Sequence, residues 1–139
     1  MIMSYIAKVY LNKMFPKADS IKVEGDNLVF TMNNVINPIV ATTVPDDINN
    51  YFEIIGDENI AIAGKNKPDV FGKMKIVWGD KTIDASNFKS FKDQVLPTGE
   101  SVKIYVPNTV GWKTGENHKI TVKIFTDRPT VFTVERSVA

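Results

Sequence analysis

The chain has no cysteine, one histidine and three leucines among its 139 residues. Lack of cysteine excludes disulfides, thiol nucleophiles and thiolate metal sites. A single histidine, His118, leaves one candidate for proton transfer near neutral pH and for the commonest metal-ligand type. Net charge is also missing: 17 basic and 16 acidic residues give +1, so no global field gathers phosphate backbones or anionic lipid. Nucleic-acid and membrane partners are therefore not expected. No apolar run approaches the roughly 20 residues that span a bilayer. Lys8 interrupts the apolar N-terminal stretch, which consequently does not read as a signal peptide, and a cytoplasmic protein is the simplest expectation. Neither G-x-x-x-x-G-K-[ST] nor G-x-G-x-x-G occurs, which removes the usual phosphate cradles.

What the chain does contain is β-branched material: 31 isoleucines and valines and 11 threonines. Such side chains lose rotamer freedom in a helix and pack well on a pleated surface. The excess of lysine over arginine, 15 to 2, and the 12 asparagines point to an A- and T-rich coding bias that also enriches isoleucine, so periodicity has to carry the fold argument.

Periodicity is clearest in the C-terminal third. Val102, Ile104 and Val106 share one face of a strand against Lys103 and Tyr105. Ile120, Val122 and Ile124 alternate with Lys119, Thr121 and Lys123, and Phe132, Val134 and Val138 lie opposite Thr133, Glu135 and Ser137. Three antiparallel strands follow, joined by residues 107–117 and by a tight turn over residues 126–129. Upstream, Met74, Ile76 and Trp78 share a face, and Gly79-Asp80 fits a two-residue type II′ hairpin turn. Residues 21–23 and 28–30 form a second hairpin around Glu24-Gly25-Asp26-Asn27. A proline-bearing edge strand over residues 34–40 and strands over residues 51–55 and 59–63 complete the set. Residues 5–15 fit either a strand or a helix. One short helix capped by Ser86 would present Phe88, Phe91 and Val95.

Seven to nine short strands with at most one or two short helices predict an all-β single domain over residues 1–139. The expected architecture is an antiparallel two-sheet β-sandwich, immunoglobulin-like in architecture, with a closed barrel as the alternative.

Chemistry is sparse. His118 sits where Gly115-Glu116-Asn117 meets a strand and has no sequence partner for a triad. Asp46-Asp47 reads as a turn opening and Asp57-Glu58 as a hairpin tip, and neither matches a calcium loop. No catalytic residue, metal ligand or cofactor is assigned. The basic excess of Lys65, Lys67, Lys73, Lys75 and Lys81 reads as solvated edge-strand lysine. Aromatic surface remains: Trp112, in a glycine-flanked loop, either presents its indole to a sugar or partner or plugs the end of the sandwich. Candidate partner- or ligand-binding residues are Trp112, Lys113, Glu116, His118 and Tyr105, with Tyr51 as a further stacking platform.

Two stretches, Met74-Lys75-Ile76-Val77-Trp78-Gly79-Asp80-Lys81-Thr82-Ile83 and Ser101-Val102-Lys103-Ile104-Tyr105-Val106-Pro107-Asn108 continuing through Gly111-Trp112-Lys113-Thr114-Gly115-Glu116-Asn117-His118-Lys119-Ile120-Thr121-Val122, resemble the small β subunit of C-glycoside deglycosidases. That resemblance implies a β-sandwich paired with a larger metal-dependent barrel subunit related to sugar isomerases. The pair cleaves the carbon–carbon bond of an oxidised C-glycoside. The expectation is an accessory subunit that docks on a larger enzyme. Alternatives are a stand-alone carbohydrate-binding module with a sugar ligand, or a protein that self-associates as a virion or filament component.

Overall fold

The computed structural model describes residues 4–5, 13–16, 19–33, 39–40, 52–84, 95–96, 99–124 and 130–139. Twelve strands run through them: β1 (Ser4–Tyr5), β2 (Ile21–Glu24), β3 (Asn27–Asn33), β4 (Ile39–Val40), β5 (Phe52–Ile55), β6 (Ala61–Gly64), β7 (Lys75–Trp78), β8 (Lys81–Asp84), β9 (Val95–Leu96), β10 (Ser101–Pro107), β11 (Asn117–Ile124) and β12 (Thr130–Ser137). They build a first sheet ordered β1-β12-β11-β5-β6 and a second ordered β2-β3-β10-β7-β8, with β4 and β9 forming a small pair of their own. All the pairings are antiparallel except that of β1 with β12. The fold is an all-β two-sheet sandwich.

Alternation explains which side of each strand turns inward. In β10, Val102 and Val106 are buried and Lys103 is exposed; in β12, Phe132 and Val134 are buried and Thr133 and Glu135 exposed. Ile21, Leu28, Phe30 and Val106 of the second sheet meet Ile54, Ile62, Ala63, Ile120, Phe132 and Val134 of the first in one core. Each such aliphatic side chain removed from water contributes about 1.5–3 kcal/mol. A second cluster, Trp78, Ile83 and Val102, continues the inner face of the second sheet. Trp78 is thus the core residue its spacing predicts.

Both predicted hairpins form. Glu24 pairs with Asn27 around Gly25-Asp26, and Trp78 with Lys81 around Gly79-Asp80. In each turn the glycine takes φ of +61° and the aspartate does not take a positive value. That is the sign pattern of a type II′ turn, whose first central position admits glycine without steric cost.

One connection differs from the expectation. β11 and β12 are neighbours, but β10 lies in the other sheet between β3 and β7, so residues 107–117 cross from sheet to sheet and do not close a hairpin. A link of this length bridges two layers, whereas two or three residues would have forced β10 beside β11. At one flank the chain end also joins the sheets. Val138 bridges Ile21 in parallel, and the Ala139 N–H donates to the Ile21 carbonyl at 2.8 Å. On the other flank, the short 3-10 segment Pro68–Lys73 packs against both β6 and β8 and buries Val70.

The ambiguous stretch divides: residues 4–5 are strand and residues 13–14 helical. Most of the expected Ser86 helix lies outside the described residues, but Val95, predicted to belong to it, is in a strand, β9, paired with Val40. Asp46, Asp47, Tyr51, residues 34–38 and the 126–129 turn also lie outside. Among the described residues no helix is long and apolar enough to cross a membrane.

Candidate functional site

The crossover from β10 to β11 begins by fixing its own shape. The Asn108 side chain accepts from the Trp112 N–H at 3.0 Å and donates to the Trp112 carbonyl at 2.8 Å, folding the loop around one amide. The Asn108 N–H in turn donates to the Asp26 carbonyl at 2.9 Å, tying the loop to the Gly25-Asp26 turn. Held this way, Trp112 inserts into the end of the sandwich and is only 6% exposed. Its indole meets Phe30 edge-on at 6.5 Å between centroids, so it touches the second sheet on one side. On another it stacks flat on His118 at the start of β11, with centroids 4.1 Å apart and planes 4° from parallel. Gly56 completes the pocket: a Cβ built there would lie 2.9 Å from the Trp112 ring.

His118 is held at both nitrogens. Nε2 lies 2.9 Å from Glu116 Oε1, and Nδ1 is hydrogen-bonded to Asp57 Oδ2. Asp57 opens the 3-10 turn Asp57–Asn59 between β5 and β6 and uses its other oxygen to accept the Lys119 N–H at 2.7 Å. Glu116 Oε1 also accepts the Lys113 N–H at 2.8 Å. Partial burial works against a charged His118 ring, but the hydrogen bonds and charges of Glu116 and Asp57 outweigh it and raise the pKa. Glu116 is lowered by its bonds to His118 and to the Lys113 amide. For Asp57, desolvation pushes upward and is overcome by the Lys119 amide and His118, leaving it lowered.

This geometry describes a structural clasp: each ring nitrogen faces a carboxylate and one ring face is covered by Trp112. The two carboxylates flank the ring and do not converge on a common point. No group of three histidine, aspartate or glutamate side chains among the described residues is placed to hold a metal.

Four of the five candidate residues from the sequence come together: Trp112, Lys113, Glu116 and His118. Trp112 takes its plug role, with its indole turned away from solvent, while Lys113 and Glu116 are exposed beside it. Tyr105 stands apart. Opposite in phase to buried Val106, it lies on the outer face of the second sheet with the Lys75 ammonium 4.2 Å from its ring centre.

Three residues of the site escaped sequence reading. Asp57 is 61 positions from its partner, so nothing local could link them. Gly56 reads as an ordinary hairpin residue until the indole is placed against it. Asn108 carried a usable signal, a loop asparagine directly after the strand-ending Pro107 and four residues before a tryptophan.

Beyond the clasp, the Asp57–Asn59 turn carries an unusual surface. Glu58 and Asn59 both take left-handed backbone, at φ of 57° and 61°, and Ile60 directly after them is 46% exposed, the one large hydrophobic side chain exposed among the described residues. Two successive non-glycine residues in this region are costly unless their surroundings hold them there. In comparisons with known proteins, the chain matches no family model and no curated protein.

Proposed function

We propose that this protein is a non-catalytic β-sandwich accessory subunit that docks on a larger protein through the Asp57–Asn59 turn and Ile60. The observation that carries the reading is Ile60: an apolar side chain held out to solvent where a turn of constrained backbone closes, its carbonyl accepting the Gly56 N–H at 2.8 Å, in a segment clasped to β11 through Asp57. Exposed apolar anchors on rigid supports concentrate binding energy, because little conformational freedom is lost on association. Engagement of both nitrogens of the only histidine further favours a binding role over an independent enzymatic one. The sequence resemblance suggests the partner's class, a metal-dependent barrel enzyme acting on C-glycosides.

A sugar-stacking role has less support. Trp112 is buried, and a saccharide on Tyr105 would have to displace Lys75 from the ring.

Affinity capture from native lysate, followed by size-exclusion chromatography with light scattering, tests the reading. A stoichiometric complex with one larger protein is expected, and Ile60→Asp is expected to weaken it about tenfold or more while leaving the fold intact. A chain that stays monomeric without a partner, or a complex indifferent to Ile60→Asp, would overturn the docking surface.

A further inference from the structure

Ionised carboxylates only accept, so the contacts of His118 Nδ1 with Asp57 and of Nε2 with Glu116 are both hydrogen bonds only when both ring nitrogens carry hydrogen. A neutral imidazole has one N–H. Its other nitrogen would then face a carboxylate oxygen with lone pair against lone pair. We propose that His118 is the pin of a proton-dependent clasp, closed on both the Asp57–Asn59 turn and the crossover loop when doubly protonated and opened at one arm when it loses a proton.

The surroundings fit this assignment. Charged groups on the elements around the ring are Asp57 and Glu58 on the turn, Lys113 and Glu116 in the crossover, Lys119 and Lys123 on β11, and Glu135 and the register partner Arg136 on β12. Among the described residues, Asp57 and Glu116 are the two that hydrogen-bond the ring itself. Arg136 is occupied elsewhere, donating from Nε to the Phe15 carbonyl at 2.8 Å and from Nη1 to the Glu135 carbonyl at 2.7 Å. The raised pKa of His118 agrees in direction with two anions gripping a cation. Each arm also carries a backbone reporter, the Lys119 N–H on Asp57 and the Lys113 N–H on Glu116. The clasp stands whether or not the turn is a docking surface. If it is, docking weakens on the alkaline side of the His118 titration.

The test uses the intact protein and the fact that it has one histidine, whose ring signals are unambiguous by NMR. The His118 midpoint is expected above that of a free histidine and is expected to fall in both Asp57→Asn and Glu116→Gln. Across the same titration, hydrogen-exchange protection, corrected for intrinsic pH dependence, should drop about tenfold at the Lys113 or the Lys119 amide, as loss of one charge-assisted bond implies. In His118→Gln that drop should vanish. A midpoint at or below that of free histidine would overturn the clasp, as would protection at both amides that ignores the titration.

Discussion

At the scale of single residues, the end of the sandwich depends on a match between an absence and a large side chain. Gly56 has an ordinary extended backbone, φ −92° and ψ −163°, so it is not there for conformational freedom. It is there because the Trp112 ring occupies the space a methyl group would need, with Ile62 Cδ1 a further 3.2 Å neighbour of that position. Gly56→Ala is therefore expected to cost about 1–3 kcal/mol, the usual range for overpacking a filled site. The same change made in Trp112→Phe, which lacks the benzo ring atoms that clash, should cost well under half as much. Urea denaturation of the four proteins of this cycle measures the coupling, and equal costs in both backgrounds would mean that the clash is relieved by movement elsewhere. Such pairings explain why the site was only partly legible in sequence. Trp112 and His118 could be singled out by type and neighbourhood, while Gly56 and Asp57 acquire meaning only from a partner more than 50 positions away.

At the scale of elements, the crossover from β10 to β11 is the piece whose failure would propagate furthest. Asn108 satisfies both backbone groups of Trp112, so Asn108→Ala leaves a partly buried N–H and C=O without their partner and should cost about 1–3 kcal/mol by thermal or chemical denaturation. Asn108→Asp keeps the acceptor but sets a second acceptor against the Trp112 carbonyl, and should recover only part of that loss. Strands were the most legible feature of the chain, because alternation such as Val102, Ile104, Val106 is a direct record of which face is buried. Which strands become neighbours was less so. Residues 107–117 look the same in sequence whether they close a hairpin or cross to the other sheet, and the outcome rests on β10 finding β3 and β7. Arg136 shows another limit of pattern reading. It continues the buried phase of Phe132 and Val134, yet its charge concealed that position until the Phe15 carbonyl was seen to receive it.

For the whole molecule, the clasp lies where the two sheets are stitched together, since the crossover leaves the second sheet at Pro107 and enters the first at Asn117. The chain end reinforces the same corner: the Gly115 N–H donates to the Val138 carbonyl at 2.9 Å and the Val138 N–H to the Glu116 carbonyl at 2.8 Å. Protonation at His118 should then register in global stability. A histidine whose folded pKa is raised stabilises fully below its ordinary value, about 6.5, and loses that contribution as pH climbs through the folded value. Asp57 and Glu116, both lowered, contribute above their ordinary values of about 3.9 and 4.3 and lose the contribution as pH falls through the folded ones. The three windows overlap between about pH 4.5 and about pH 6.5, where the clasp stabilises most. Thermal unfolding followed from about pH 5.5 to about pH 8.5 should show Tm declining on the alkaline side by a few degrees, and His118→Gln should flatten that limb. A Tm that holds level or rises over this range, with the same profile in His118→Gln, would mean that folding does not raise the His118 pKa and would count against the clasp.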